Sequence, residues 1–346
     1  MNRRNFLKTT AAGAGSALVA SIAAQSPAFA VNFNQSPTEF KLGLFAGSDS
    51  EQTKKNVEPF RVYMESTLGI PVTVQTGTSY TAVIEALRGK FVDAMEVGPF
   101  AYVLASSQTK VEPLAVNITP VVPKGGTATY DAKVPPYYFS VIFTKKSSGI
   151  KTLAQLKGKK FAFVDPASTS GNLMPRLVLL KNKVNADKDF AETIFAGSHS
   201  SSVMAVWNDK VDAGATFEDN LFSLNNSGQV TACLFADGET RRRTPAELTA
   251  RYAECADTDL VILAYSDPIP NTPFGIRVDM PAPFKAAVKA ALLKVREDAA
   301  LIGAYKQWYV DPVKEYPTLK LKSIDSFYGV LRDAARLLKL DLTKLK

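Results

Sequence analysis

From residue 39 onward the chain alternates short apolar runs with amphipathic stretches. FKLGLFAG (40–47) reads as a strand, 49–68 as a helix, IPVTVQTG (70–77) as a strand and TSYTAVIEALRGK (78–90) as a helix. FVDAMEVG continues the series as a strand, PFAYVLASSQ as a helix and VEPLAVNIT as a strand. The Gly- and Pro-rich segment VPKGGTATYDAKVPP then breaks the rhythm, and the apolar run YYFSVIFTKK opens a second series. That series holds a helix TLAQLKG capped by Thr152, the strand KKFAFVD, a helix from about 171, a strand near 190–196, the helix HSSSVMAVWNDK and the strand VDAGATFED. DLVILAYSDPIPNTPFGIR follows as a long apolar strand broken by three prolines, and two amphipathic helices, about 281–299 and 323–340, close the chain. Strands and helices in such alternation predict an α/β fold with largely parallel sheets.

The two series echo one another. LRGKFVDAMEVGP (87–99) and WNDKVDAGATFED (207–219) both run from a helix end through Lys and Val-Asp-Ala into a strand that ends on an acidic residue. Each half therefore places a carboxylate, Glu96 or Glu218, at the carboxyl end of a strand, the end that lines the ligand crevice of an open parallel sheet.

The first 30 residues stand outside this pattern. Arg3, Arg4 and Lys8 precede a short apolar core of small residues, and Ala28-Phe29-Ala30 offers an A-x-A cleavage site, the three parts of an export signal. Arg3-Arg4 resembles a twin-arginine signal, with Asn2 where Ser or Thr is usual. An uncleaved anchor is the alternative, but the core is shorter than the roughly 20 apolar residues of a spanning helix. The expected compartment is the periplasm, with cleavage after Ala30. Residues 1–30 carry three basic and no acidic residues, so the formal charge of +8 becomes +5 without them. A surplus that modest suits an anionic small ligand and argues against nucleic acid. Two cysteines, Cys233 and Cys255, are half of a structural zinc set; in an oxidising compartment they point to a disulfide, with two free thiols as the alternative. Between them, Thr244-Pro245 with Glu247 at capping-box spacing starts a helix inside what reads as an insertion clasped at its base, 234–254.

The most suggestive chemistry lies in FAFVDPASTSGNLMPR (161–176). Ser168, Thr169, Ser170 and Gly171 follow a strand and precede an apolar helix. The first N–H groups of a helix lack intrahelical partners and carry the positive end of its dipole, so this turn has the build of an anion site. Its hydroxyls add donors, and Gly171 would let backbone approach a ligand. Ordinary capping needs one hydroxyl, not three. Pro175 fits only in a first turn, which sets the expected helix start at 171–173.

DPASTSG after LKGKKFAFV, with TSYTAVIEALRGKFVDAMEVGPFAYVLA, GSHSSSVMAVWNDKVDAGATFED and SDPIPNTPFGIR, resembles the phosphonate/phosphite/phosphate-binding proteins of ABC importers over about residues 39–300. The resemblance implies a type II periplasmic-binding-protein fold: two α/β lobes, 31–137 plus 268–346 and 138–267, joined by crossover strands at YYFSVIFTKK and DLVILAYSDPIP, with the ligand between them. By the same resemblance Ser168, Thr169 and Ser170 would grip phosphonyl oxygens, and Tyr80 would reach across from lobe one. His199, the only histidine, matches the family's GSH motif. Glu218 matches an acid that faces the amine of aminoalkylphosphonates, with Asp219 next to it, and Asp267 is a second candidate acid. Glu96 departs from the pattern, since relatives commonly carry an aromatic beside this Gly-Pro. A carboxylate there repels a dianion unless the ligand donates a hydrogen to it or pairs with it through an amino group.

The expected function is thus a periplasmic solute-binding component that hands a small phosphorus oxyanion to an inner-membrane ABC permease. Phosphite or an alkylphosphonate such as methylphosphonate ranks first, 2-aminoethylphosphonate second and phosphate third. A monomer without metal or other cofactor is expected. The rival classes are a secreted phosphoester or phosphonate hydrolase and a ligand-sensor domain. Against the first, the chain lacks G-x-S-x-G, Walker A and H-E-x-x-H motifs and has one histidine.

Overall fold

A computed structural model describes residues 37–47, 49–119, 135–235 and 242–344. The expected export signal, most of the Gly- and Pro-rich segment and part of the Cys233–Cys255 insertion lie outside the described residues.

The first series forms β1 Phe40–Phe45, α1 Ser50–Leu68, β2 Val72–Gly77, α2 Tyr80–Arg88, β3 Ala94–Glu96, α3 Pro99–Gln108 and β4 Val111–Ile118. The second forms β5 Tyr137–Tyr138, β6 Ser140–Lys145, β7 Lys160–Phe163, α4 Met174–Lys181, β8 Glu192–Phe195, α5 His199–Trp207, β9 Ala213–Phe217, α6 Glu218–Asn226, α7 Pro245–Glu254 and β10 Leu260–Tyr265. The chain returns through β11 Ile269–Pro270 and β12 Pro273–Arg277. It ends with α8 Ala282–Lys294, α9 Ala299–Tyr305, β13 Trp308–Val310, α10 Pro312–Glu315, α11 Ile324–Phe327 and α12 Gly329–Leu337. The helices begin where the sequence supplies caps: Asp49 accepts from the N–H of Gln52 at 2.9 Å and opens α1, which buries Val57, Phe60, Met64 and Leu68 along one stripe.

Two sheets result. One has the order β13-β4-β12-β3-β1-β2, the other β10-β6-β9-β7-β8. Within each, three strands are parallel (β2, β1, β3 and β8, β7, β9) and a returning strand, β12 or β6, pairs antiparallel beside the third. The shared order is that of the type II periplasmic-binding-protein fold. Helices cover both faces of each sheet. In the first, Tyr102, Phe100 and Tyr328 fill one side, while Phe40, Phe60, Phe274 and Phe284 fill the other. The proline-broken run resolves into three strands in three different sheets, since β11 pairs only with β5 in a two-stranded antiparallel ribbon (Ile269 with Tyr138, Pro270 with Tyr137). Proline lacks the N–H that a continuous ladder needs.

The echo between the halves is structural. The Asp93 carboxylate accepts from the Lys41 N–H at 2.9 Å, tying the start of β3 to β1. Asp212 does the same for Lys160 at 2.8 Å, tying the start of β9 to β7.

Some boundaries differ from expectation. The Thr152-capped helix is a single 3₁₀ turn, Leu153–Leu156. The stretch 281–299 ends as an α-helix at Lys294, because Asp298 caps a new helix, α9, by accepting from the Leu301 N–H at 2.9 Å. Neither α9 nor β13 was anticipated. Cys233 and Cys255 are disulfide-bonded, and α7 starts with the expected Thr244/Glu247 capping box. No helix of the described residues is long and apolar enough to cross a membrane.

Candidate functional site

A cavity of about 700 Å³ lies between the two sheets, at the carboxyl ends of the parallel strands. Its lining includes the starts of α2 (Tyr80), α3 (Gly98), the segment leading into α4 (Ser168, Thr169, Ser170), α5 (His199) and α6 (Glu218, Asp219). Five strand-to-helix junctions thus aim their N-terminal dipoles at one space. Lys306, exposed at the rim, is the single lysine or arginine of the lining among the described residues.

The Ser-Thr-Ser turn is built by its neighbours. Residues 169–173 form one π-helical turn before α4 begins at Met174, three residues later than the earliest expected start. Pro175 cannot donate to the Gly171 carbonyl four residues back, and that carbonyl instead accepts from Val164 N–H at 2.9 Å. Gly171 is pressed against the strand it leaves: a Cβ there would stand 2.2 Å from Val164 Cγ2. The expectation that Gly171 opens room for a ligand is therefore corrected. It opens room for Val164, and it is absent from the cavity lining. Ser168 accepts from the Gly171 N–H at 3.1 Å as an N-cap. Thr169 Oγ1 accepts from the Phe100 N–H at 2.7 Å, joining the start of α3 to this turn from the other sheet's side. The Ser170 carbonyl accepts from Ser140 Oγ at 2.6 Å, and the hydroxyl of Tyr138 reaches both Thr169 and Ser170.

Tyr80 lies in the cavity wall, stacked on Phe45 at 3.9 Å between ring centroids, with its hydroxyl bonded to the Ser168 side chain. Burial raises its pKa, so the phenol stays protonated. His199 packs edge-on against Phe217, and its Nδ1 lies 3.1 Å from Thr216 Oγ1. Burial pulls its pKa down to about 3, so the ring is neutral. Glu218 is buried, and its two oxygens accept from the N–H of Phe139 at 3.0 and 2.8 Å. Burial pushes it up to about 8. It is tied to the passage between β5 and β6. Asp219 also lines the cavity, raised by burial. Glu96 faces the cavity and accepts from Asn117 Nδ2 at 2.9 Å and Tyr309 Oη at 2.6 Å; burial raises it, against these hydrogen bonds. Asp267 is corrected: it stands outside the lining, ion-paired with Lys181 and Arg242 at 2.7 Å each, which hold it below the usual carboxylate range. Among the described residues no group of three or more His, Cys, Asp and Glu could hold a metal ion.

Comparison with known proteins is specific. The profile described as "ABC transporter, phosphonate, periplasmic substrate-binding protein" matches residues 42–316. The chain belongs to that family. Two similar relatives of this phosphonate-binding-family protein are the "Phosphate-import protein PhnD" of Mycolicibacterium smegmatis and the "Phosphonates-binding periplasmic protein" of Escherichia coli. The first is 30% identical over 53% of this chain and 56% of the relative. The second is 29% identical over 54% and 52%. The chain spans about half the length of the curated relatives it matches. PhnD1 of Prochlorococcus marinus, solved in complex with methylphosphonate, superposes with a TM-score of 0.62 at 19% identity, covering 88% of this chain and 99% of that one. A binding protein component of an ABC phosphonate transporter from Pseudomonas aeruginosa gives 0.60 at 21% identity, covering 87% and 95%. Both bear out the two-lobed fold.

Several lining residues of this family member escape sequence reasoning. Tyr138 lies in a crossover strand with no motif of its own. Asn117, Asn271, Tyr305 and Gln307 come from the ends of β4, β11 and α9, which only the return of the chain brings beside Glu96. The Gly-Pro departure at Glu96 was the one signal that something else must balance it.

Proposed function

We propose that the protein is the periplasmic phosphonate-binding component of an ABC importer. Ser168, Thr169 and Ser170, with the backbone N–H groups of Thr169 and Ser170, hold the phosphonyl oxygens, the Ser168 N–H being spent on the Asp165 carbonyl at 2.9 Å; Tyr80 and the neutral His199 add donors from either side. The observation that carries this reading is the convergence of five helix starts on a cavity whose lining, among the described residues, offers one exposed lysine and otherwise neutral donors. Held anions need no proton transfer, and a half-buried neutral histidine is a donor rather than a charge relay. The cavity's volume lies in the ~300–1,000 Å³ range of sites for organic ligands, which favours an alkyl- or aminoalkylphosphonate over bare phosphite or phosphate.

Capture proceeds by lobe closure about the β5–β11 ribbon, and the closed form is the one a membrane permease receives. The exported protein, cleaved after Ala30, acts as a monomer. Isothermal titration of the ligand-free protein against phosphite, methylphosphonate, 2-aminoethylphosphonate, phosphate and sulfate tests the reading. Micromolar or tighter binding of a phosphonate is expected. Ser168→Ala and Thr169→Ala should each weaken it by about 1.5–3 kcal/mol, the scale of a hydrogen bond to a charged group. Folded protein that takes up none of the five reopens the hydrolase and sensor readings.

A further inference from the structure

Glu96 lies in the same cavity as the Ser-Thr-Ser turn, but it does different chemistry. Its network runs one way. Tyr309 Oη spends its single hydrogen on Glu96 Oε2, so the 2.8 Å contact between Tyr305 Oη and Tyr309 Oη has Tyr305 as donor. Asn117 Nδ2 gives one hydrogen to Glu96 Oε1 and the other to Gln307 Oε1 at 3.1 Å. Glu96 thus receives two well-directed bonds, from Tyr309 and Asn117, with the Tyr305 hydroxyl as a third neighbour, where an ionised carboxylate accommodates about four. It forms no ion pair with a lysine or arginine of the described residues.

Asn271 stands beside this group and has the same deficit. Its Nδ2 donates to the Asn117 carbonyl at 3.2 Å, which settles which end of the amide is nitrogen. Its backbone is fixed on both sides, by its N–H to the Pro136 carbonyl and by Tyr328 Oη to its own carbonyl, each at 2.8 Å. Its Oδ1 is buried without a hydrogen-bond partner, and the residue lines the cavity. An orphaned buried acceptor is costly, and here it shares a wall with an unneutralised carboxylate. Both are braced by Asn117. What satisfies them is a compact cation with several N–H donors; an ammonium has three.

We infer that Glu96, Asn117, Asn271 and Tyr309 form a second subsite, which takes the ammonium group of a zwitterionic aminoalkylphosphonate whose phosphonyl end sits on the Ser168–Ser170 turn. The inference rests on the phosphonyl reading above. Glu218 is a poorer receiver, because its side chain is fully buried and turned onto the Phe139 N–H, whereas Glu96 is only half-buried. Asp219 sits in the first turn of α6, where the helix dipole already offsets its charge. A single turn connects the two subsites: β3 ends at Glu96, and four residues on, the N–H of Phe100 bonds Thr169.

The test is a selectivity ratio measured by calorimetry on the ligand-stripped protein isolated from the periplasm, with 2-aminoethylphosphonate against propylphosphonate, its isostere without the charge. The unmodified protein should prefer the amine by about tenfold or more, the scale of a hydrogen bond to a charged group. Glu96→Gln should remove that preference while changing propylphosphonate affinity by less than about threefold, and Asn271→Ala should reduce it in part. Equal affinity for the two ligands in the unmodified protein overturns the inference and leaves the phosphonyl reading standing. So does a preference that survives Glu96→Gln and is lost in Glu218→Gln or Asp219→Asn. No binding of either ligand overturns both.

Discussion

A methyl group at position 171 would meet Val164 Cγ2 and Cβ at 2.2 and 2.4 Å, and a buried β-branched neighbour just past the end of β7 has little room to yield. Gly171→Ala should therefore destabilise the protein by about 1–3 kcal/mol, the cost of overpacking, as read from its urea unfolding midpoint. It should do so without a change in ligand selectivity, because the residue faces the strand and not the cavity. An unaltered midpoint would mean that the turn rearranges freely. The presence of a turn rich in donors was legible from three adjacent hydroxyls, while the purpose of the glycine was not, since nothing local to 168–171 reveals that Val164 lies behind it. Glu96 makes the same point more strongly. Its oddity is visible beside Gly98-Pro99, but its partners Asn117 and Tyr309 are 21 and 213 positions away and carry no motif.

At the scale of elements, the buried Glu218 and the half-buried His199 couple the second sheet's helix starts to proton uptake in opposite senses. Glu218, raised from 4.5 to about 8, keeps its proton in the folded state across a window in which the unfolded chain has lost it. The folded state then binds more protons, so stability from this group falls as pH rises from 4.5 to 8. His199, lowered from 6.5 to about 3, is neutral when folded while the unfolded chain takes up a proton; its contribution is lost as pH falls from 6.5 towards 3. The slopes, each up to about 1.4 kcal/mol per pH unit, oppose one another between 4.5 and 6.5. Above 6.5 the Glu218 slope is no longer opposed by His199. Glu218→Gln should abolish the decline above pH 6.5 and leave stability rising between 3 and 6.5, which urea midpoints across pH 4–8.5 would register. A decline that persists in this variant would place the proton elsewhere. Most elements were readable from periodicity and capping: α1 with Asp49, α7 with Thr244 and Glu247, β7 before the Ser-Thr-Ser turn. Those that were not are short or depend on tertiary pairing. β13 has three residues and exists only because β4 offers it an antiparallel edge, and the proline-broken run divides into β10, β11 and β12 only when three different partners take its pieces.

For the whole molecule, direct contacts join the two sheets' halves across the cleft. The Phe100–Thr169 and Tyr80–Ser168 bonds cross between the two sheets' halves, and Gly47, at the end of β1 with φ near +57°, leaves only 2.9 Å between a built Cβ and Ser198 Cβ at the start of α5. If closure is ligand-dependent, X-ray scattering should show a larger radius of gyration for stripped protein than for protein saturated with 2-aminoethylphosphonate; equal radii would mean that the lobes stay together without cargo. The alternation of strand and helix made two α/β units legible, and the Val-Asp-Ala echo hinted that they are copies, now seen in the matching Asp93–Lys41 and Asp212–Lys160 bonds. Their mutual placement was beyond local pattern, because it is fixed by contacts between residues such as 100 and 169 that no periodicity links. The convergence of helix starts has a consequence of its own. Peptide N–H groups and hydroxyls do not titrate in the range where cells live, and they recruit no counterions that must be shed. A phosphonyl group held as proposed would thus be gripped with indifference to acidity on the protein's side. Whatever variation a changing environment imposes on capture comes from the cargo's own second ionisation and from the carboxylates at the far wall.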